Sequence, residues 1–254
     1  MKLFSIRSLL LLGFVLLSAQ SAPAADNKPA FDWTGPYVGL HLGGGWANGD
    51  TNSFPLPNAE TFGILPAGWS QQSSGVIGGL QAGYNYQMGC WVAGVETDFS
   101  GSGISGTKTV SPILRNDSTP LPGGGALTSR EAIDWFGTLR LRLGYTVTDS
   151  LLFYGTGGLA YGNVSTSANT DLRPLLPIDY PSSVSRTTVG WAAGAGVEYA
   201  FSKCWTLRVE YLYIDMGSRS AVANPNMVLD PATRVGYKWQ LTDNIVSLGV
   251  NFKF

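Results

Sequence analysis

Asp243-Asn244-Ile245-Val246-Ser247-Leu248-Gly249-Val250-Asn251-Phe252-Lys253-Phe254, the C-terminal stretch, is the part of the chain that decides its fold. Val246, Leu248, Val250, Phe252 and Phe254 are apolar at every second position, and Ser247, Gly249, Asn251 and Lys253 alternate with them as polar or small residues. A period of two belongs to a β-strand with one greasy face and one wet face. In a soluble domain the greasy face must be covered by other chain. In an outer-membrane barrel it meets lipid, and the last strand closes the ring against the first.

The N-terminal residues point to the same compartment. Lys2 and Arg7 precede an apolar run from Leu9 to Leu17, broken only by Gly13, and Ala22-Pro23-Ala24 supplies small residues in an A-x-A pattern. This is the layout of a secretory signal peptide over 1–24, and it leaves a barrel domain over 25–254. Losing Lys2 and Arg7 takes the formal charge from −1 to −3. So mild a charge gives no footprint for a nucleic-acid partner. Beyond Ala24 no apolar run reaches the ~18 residues of a spanning helix. Yet charged residues make up only 13% of the chain, against about 25% in ordinary soluble domains. An exported chain that is poor in charge and lacks a spanning helix is expected to cross the membrane with strands.

Alternating segments recur near 36–47, 75–87, 91–100, 132–146, 151–162, 187–200, 205–215 and 244–254. Each is close to or above the roughly 9–11 residues that a tilted strand needs to cross a bilayer. Tight turns at 87–90, 147–150 and 201–204 alternate with stretches near 48–74, 101–131, 163–186 and 216–243, rich in Ser, Asn, Pro, Gly and Thr. Short periplasmic turns and long extracellular loops are the usual polarity of a bacterial barrel. The sequence therefore predicts an all-β fold, an eight-stranded antiparallel transmembrane up-and-down β-barrel.

One face of each segment carries no charge. Val76, Leu80, Tyr84 and Tyr86, then Val95 and Phe99, then Trp135, Leu139, Leu141, Leu143 and Tyr145 share one parity. Val189, Trp191, Val197 and Tyr199, then Trp205, Leu207, Val209, Tyr211 and Tyr213, do the same. A lipid-facing Lys or Arg would cost about 2–4 kcal/mol at mid-membrane, so a clean face is what a bilayer demands. Both registers of 151–162 are acceptable, so the sequence leaves that strand open. Aromatics collect in two rows, one at the turn side (Tyr86, Trp91, Tyr145, Tyr199, Phe201, Trp205, Phe254) and one at the loop side (Trp46, Phe99, Trp135, Tyr161, Trp191, Tyr213). Amphipathic rings of this kind sit at headgroup level.

Phe31-Asp32-Trp33-Thr34-Gly35-Pro36-Tyr37-Val38-Gly39 resembles the opening strand of the porin-family outer-membrane immunogenic proteins of alphaproteobacteria. Gly79-Leu80-Gln81-Ala82-Gly83-Tyr84-Asn85-Tyr86, the block Trp135 to Tyr145, Val209-Glu210-Tyr211-Leu212-Tyr213-Ile214-Asp215 and the terminal Val-Asn-Phe-Lys-Phe are similar to the same family. The resemblance spans the mature chain apart from the four long stretches. It implies a small OmpA-like barrel exposed at the cell surface, and it carries no catalytic residue over to this chain.

The opposite parity points inward and holds the strand charges: Glu96, Asp98, Arg140, Arg142, Glu198, Arg208, Glu210 and Lys253. An eight-stranded barrel is just wide enough for side chains to fill it, so these residues are expected to pair into a structural plug. By sequence, Glu96 should face Arg140 and Arg142, and Arg208 should find Glu198 or Glu210. His41, the single histidine, shares the inward parity, with no Ser or Asp partner fixed by spacing; it is expected to be a satisfied lumen residue. One His and two separated Cys fit no zinc pattern. The turns of Cys90 and Cys204 lie on opposite sides of a ring roughly 16 Å across. That is beyond the ~7 Å between Cα atoms that a disulfide tolerates.

The function expected from these features is an integral outer-membrane protein with a structural, surface-exposed role, without enzymatic activity or cofactor. Its expected surroundings are outer-membrane lipid and lipopolysaccharide. Phe252 and Phe254 would form the terminus read by the barrel-assembly machinery, and the barrel would stand as a monomer. Two alternatives share the fold. One is a narrow porin for ions or small solutes, and the other a receptor or adhesin binding a ligand through the extracellular loops.

Overall fold

The computed structural model describes residues 31–55, 67–113, 119–120, 125–173, 179–224 and 235–254. The signal peptide expected over 1–24, and the cleavage expected after it, lie outside them. Within them the chain is a closed antiparallel sheet. Its strands are β1 (Gly35–Pro55), β2 (Ala67–Met88), β3 (Trp91–Ser102), β4 (Ser105–Val110), β5 (Ala126–Thr148), β6 (Leu151–Asp171), β7 (Asp179–Ala200), β8 (Trp205–Ala223) and β9 (Val235–Lys253).

Apart from β3 and β4, strands consecutive in sequence pair with each other, and β1 pairs with β9 to close the ring. Closure is continuous from Tyr37↔Lys253 to Ala47↔Asp243. β3 and β4 fill a single place in the wall, since both pair with β2 and with β5. The ring therefore has eight positions, one of them interrupted at Gly103 and Ile104. The Gly103 amide still bonds the Val76 carbonyl at 2.9 Å, and Ile133 bonds Ile104 at 3.0 Å, so the break leaves few backbone groups unpaired.

The exterior agrees with the alternation read from the sequence. Leu42, Val76 and Leu141 are 69%, 71% and 72% exposed, which only lipid makes tolerable. β6 takes the register that the sequence left open: Leu152, Tyr154 and Ala160 point inward, while Phe153 and Leu159 face outward. Both aromatic rows pack side by side along the wall. Trp91 meets Tyr145 at 5.3 Å between centroids in the inner row, and Trp191 meets Tyr213 at 5.4 Å in the outer one.

The strands correct the sequence reading in one respect. They do not stop at the outer aromatic row. β5, β6 and β7 are 23, 21 and 22 residues long, so much of what reads as loop continues as paired wall above the membrane. The Ser/Thr-rich composition misleads there because it also suits the wet face of a paired strand. The other face supplies buried Val164, Ala168, Leu127, Ile133, Trp239 and Leu241.

Candidate functional site: the filled lumen

Three layers occupy the interior. The periplasmic mouth is closed by the segment that precedes β1. Trp33 is buried in a cluster with Val92, Leu152, Tyr154 and Ala200, and Phe31 packs on its edge at 4.7 Å. The Trp33 amide donates to Gln87 Oε1 at 2.9 Å, and Lys253 Nζ donates to the Asp32 carbonyl. Lys253 thus belongs to this mouth and not to the lumen network assigned to it from sequence. Its place at the very end of β9 lets the long stem turn outward to the Phe31 ring, 5.3 Å away. The Thr34 amide donates to the Asp32 carboxylate at 2.8 Å and holds its pKa below the ordinary value.

The middle layer holds the other seven charges, all 6% exposed or less. Arg140 is their hub. It reaches Glu96 at 2.7 Å, Asp98 at 3.0 Å and Glu210 at 3.0 Å. Arg208 reaches Glu96 at 2.7 Å and Glu210 at 3.5 Å. Arg142 pairs with Glu198, lies 3.7 Å from Glu96, and stacks its guanidinium 3.7 Å over the Tyr154 ring.

Arg140–Glu210, Arg142–Glu198 and Arg208–Glu96 cross between strands that are not neighbours, while the other contacts run along the wall. Glu198 and Arg208 are direct cross-strand neighbours, yet Glu198 turns to Arg142 and Arg208 crosses to Glu96. Three guanidinium groups thus meet four carboxylates, and neutral donors answer the remaining acceptor capacity. Tyr37 donates to Glu96 at 2.6 Å and Tyr154 to Glu210 at 2.8 Å. Thr138 donates to Asp98, and Thr206 and Asn251 donate to Glu198.

Two glycines make room for those tyrosines. A Cβ at Gly83 would stand 2.4 Å from Tyr37 Oη, and one at Gly196 would stand 2.5 Å from Tyr154 Oη. A cavity bounded by His41, Asp98, Arg140, Arg208 and Glu210 has about 10 Å³ of free volume. That is barely room for one water. His41 completes the layer, with Nδ1 3.0 Å from Gln81 Oε1 and Nε2 2.8 Å from Ser100 Oγ. Both ring nitrogens are engaged by neutral partners, and no acid orients the ring.

The outer layer is mainly apolar, with buried polar side chains such as Ser129, Glu131 and Asp243 among it. Ile77, Ile104, Ile133, Phe136, Leu212, Ile214, Met216, Tyr237, Trp239, Leu241 and Ile245 belong to one buried cluster. Tyr237 and Trp239 stack at 5.8 Å. Sequence reasoning missed most of this layer because Tyr237, Trp239 and Leu241 fall in a stretch that reads as loop; their alternation over 235–241 is the signal that could have found them. Tyr154 was missed because the register of β6 was open. Cys90 and Cys204 are both free. At the chain end Phe254 is exposed, its amide bonds the Pro36 carbonyl at 3.1 Å, and Phe252 packs edge-on against Trp205 at 5.0 Å.

A closed antiparallel ring with a greasy exterior, two aromatic rows and a packed polar centre defines an outer-membrane β-barrel. The sequence model of the outer membrane protein beta-barrel domain matches residues 10–254, and the chain belongs to that family. It is 38% identical over 248 residues to a 31 kDa outer-membrane immunogenic protein of Brucella melitensis, covering 94% of this chain and 91% of that one. A 22 kDa outer membrane protein of Rhizobium leguminosarum is 31% identical, covering 93% and 83%. Among solved structures, the outer membrane protein OprG from Pseudomonas aeruginosa aligns with a TM-score of 0.45 at 16% identity, over 87% of this chain and 96% of that one. The protein is an integral component of the outer membrane.

Proposed function

We propose that this barrel serves as a structural, surface-exposed and non-conducting element of the outer membrane, with a lumen plugged by paired charges. The observation that carries the reading is the Arg140, Arg142 and Arg208 cluster, bonded inside the lumen to Glu96, Asp98, Glu198 and Glu210, with three of its contacts crossing between strands that are not neighbours. A solute pathway would have to break these buried bonds, and each lost partner would leave an uncompensated charge. Trp33 below and the apolar layer above support the same reading. So does the name of the Brucella relative, an immunogenic outer-membrane protein.

The role needs no catalysis. In this reading the barrel stands as a monomer among outer-membrane lipid and lipopolysaccharide, and the assembly machinery recognises Phe252 and Phe254. Planar-bilayer recording of the refolded protein tests it. The expected result is no stable, reproducible open level. A steady conductance whose ion selectivity reverses in the Arg140→Glu, Arg142→Glu double variant would overturn the reading in favour of a narrow pore.

A further inference from the structure

Above the outer aromatic row the wall is open along one line. β2 runs on to Ala67 and β4 to Val110, yet their ladder holds the single pair Ser74↔Ser105. Ser74 lies opposite Trp46 of that aromatic row, so the ladder stops where the membrane does. Both strands stay paired on their other sides. β2 continues against β1 as far as Ser53↔Ala67, and β4 against β5 as far as Val110↔Leu127. The edges that face each other, 67–73 and 106–110, therefore present rows of N–H and C=O groups that no ladder answers among the described residues.

The separation starts at Gly106. A Cβ there would stand 2.6 Å from the Gln72 carbonyl oxygen and 2.4 Å from Ser73 Oγ, so the strands still touch. The Gly106 carbonyl takes its bond from the Gln71 side chain, with Nε2 at 2.7 Å, in place of a backbone amide. Beyond that point lies a cavity of about 370 Å³, with Gln71 and Gln72 on one side and Thr107 and Lys108 on the other. Its size falls within the ~300–1,000 Å³ of ligand sites.

Two side chains mark the opening. Gln71 is 1% exposed, and its Oε1 is buried without a hydrogen-bond partner. Lys108 lies opposite the buried Ser129 of β5, so the two share the inner face. Lys108 is nevertheless exposed, because β2 has drawn away from β4 at that level. Among the described residues no acid pairs with it.

An extended polypeptide answers every one of these features. Its N–H and C=O groups can serve both edges at once, and one of its amides can donate to Gln71 Oε1. A fatty chain offers nothing to such rows. The cation beside the opening selects an acidic side chain on the incoming segment. We propose that the opening between β2 and β4 is a strand-addition site at the cell surface, taking an extended, acidic segment of another protein. The bound segment would complete the wall as a strand between β2 and β4. The site stands or falls independently of whether the barrel conducts.

The test uses the full chain refolded in a zwitterionic detergent and a fluorescein-labelled peptide of alternating Glu and Thr, read by fluorescence anisotropy. A second probe has the same sequence with every other backbone amide N-methylated, which removes the donors along one edge. The expected result is saturable binding of the first peptide, weakened roughly tenfold or more by N-methylation and by Lys108→Glu.

Heat-modifiable migration verifies that the variant is folded. No saturable binding to wild type at up to about 1 mM peptide would overturn the site, leaving Lys108 as a charge that guards a bare edge. Equal affinity for the N-methylated peptide would overturn it too, since charge attraction alone would then account for binding. So would unchanged affinity in folded Lys108→Glu. Should that variant not fold, the two peptides on the wild type decide alone.

Discussion

The middle and the outer half of the lumen solve the same problem with opposite chemistry. Both must fill a ring of eight strand positions. The middle does it with three Arg and four acids joined across the barrel; the outer half does it with Ile, Leu, Met, Tyr and Trp side chains. Buried ion pairs replaced by apolar residues of similar size are often neutral or more stable. The charged layer is therefore not explained by stability alone. What it adds is geometry: each guanidinium accepts only certain partners at certain angles, so the register of β3, β5, β7 and β8 is specified. The apolar layer contributes burial with little specificity, and its contacts tolerate repacking.

The largest effect that separates the layers should come from Arg140→Gln. It leaves Asp98 with no cation and takes one from Glu96 and Glu210, which keep Arg208, and a loss of about 3–5 kcal/mol is expected from equilibrium unfolding in detergent. Glu96→Gln combined with it in a double-mutant cycle should be strongly non-additive. Additive costs would mean that water already separates the two, and the contrast between layers would collapse. Leu241→Ala in the outer layer should cost somewhat less, about 2–4 kcal/mol, by leaving a cavity. It should leave the charged layer intact.

A third change acts on the space between tyrosines and wall. Gly83→Ala drives a methyl into the Tyr37 ring, which bonds Glu96. Overpacking of this kind costs about 1–3 kcal/mol. Gly44→Ala, whose nearest contact would be 3.8 Å away on the lipid side, is the matched control and should be near neutral. Equal losses at both positions would mean that strand glycines matter through the backbone and not through the room they leave for Tyr37.

The two layers also differ in how far the sequence foretold them. The membrane-spanning parts were legible because lipid imposes strict alternation: Val246, Leu248 and Val250 can only face outward. The inward charges followed by parity, and so did part of their pairing: Glu96 meets Arg140 and Arg142, and Arg208 meets Glu210, as the strands suggested. The contacts between distant strands did not follow, because a narrow ring brings opposite walls as close as adjacent strands; Arg208 also crosses to Glu96, and Glu198 turns to Arg142. Above the outer aromatic row the bilayer no longer polices the outward face. There Ser165, Ser167 and Asn169 alternate with Val164, Thr166 and Ala168, a pattern too polar to stand out from loop. Lys253 escaped the lumen because it sits at the mouth, where parity no longer decides what a flexible side chain touches.

The smallest effect tests whether burial, and not charge pairing as such, sets the value of the middle layer. Arg173 and Asp171 make an ion pair of 2.8 Å at the outer end of β6, as close as the contacts of Arg140. Here the Arg side chain is 60% exposed, against 1% for Arg140. Hydrogen bonds from Arg173 hold the Asp171 pKa below its ordinary value. A depressed folded-state pKa gives a contribution present above the unfolded value, near 4, and lost as pH falls through the lower folded value. At pH 7 that contribution is fully present, so this is where Arg173→Ala should show its whole cost. Exposed pairs are screened by solvent, and the unfolding midpoint is expected to match wild type within error at pH 7 and again at pH 3. A clear loss at pH 7 that vanishes at pH 3 would show that an exposed pair stabilises this barrel by itself, and the distinction drawn from Arg140 would then rest on the number of partners instead of on burial.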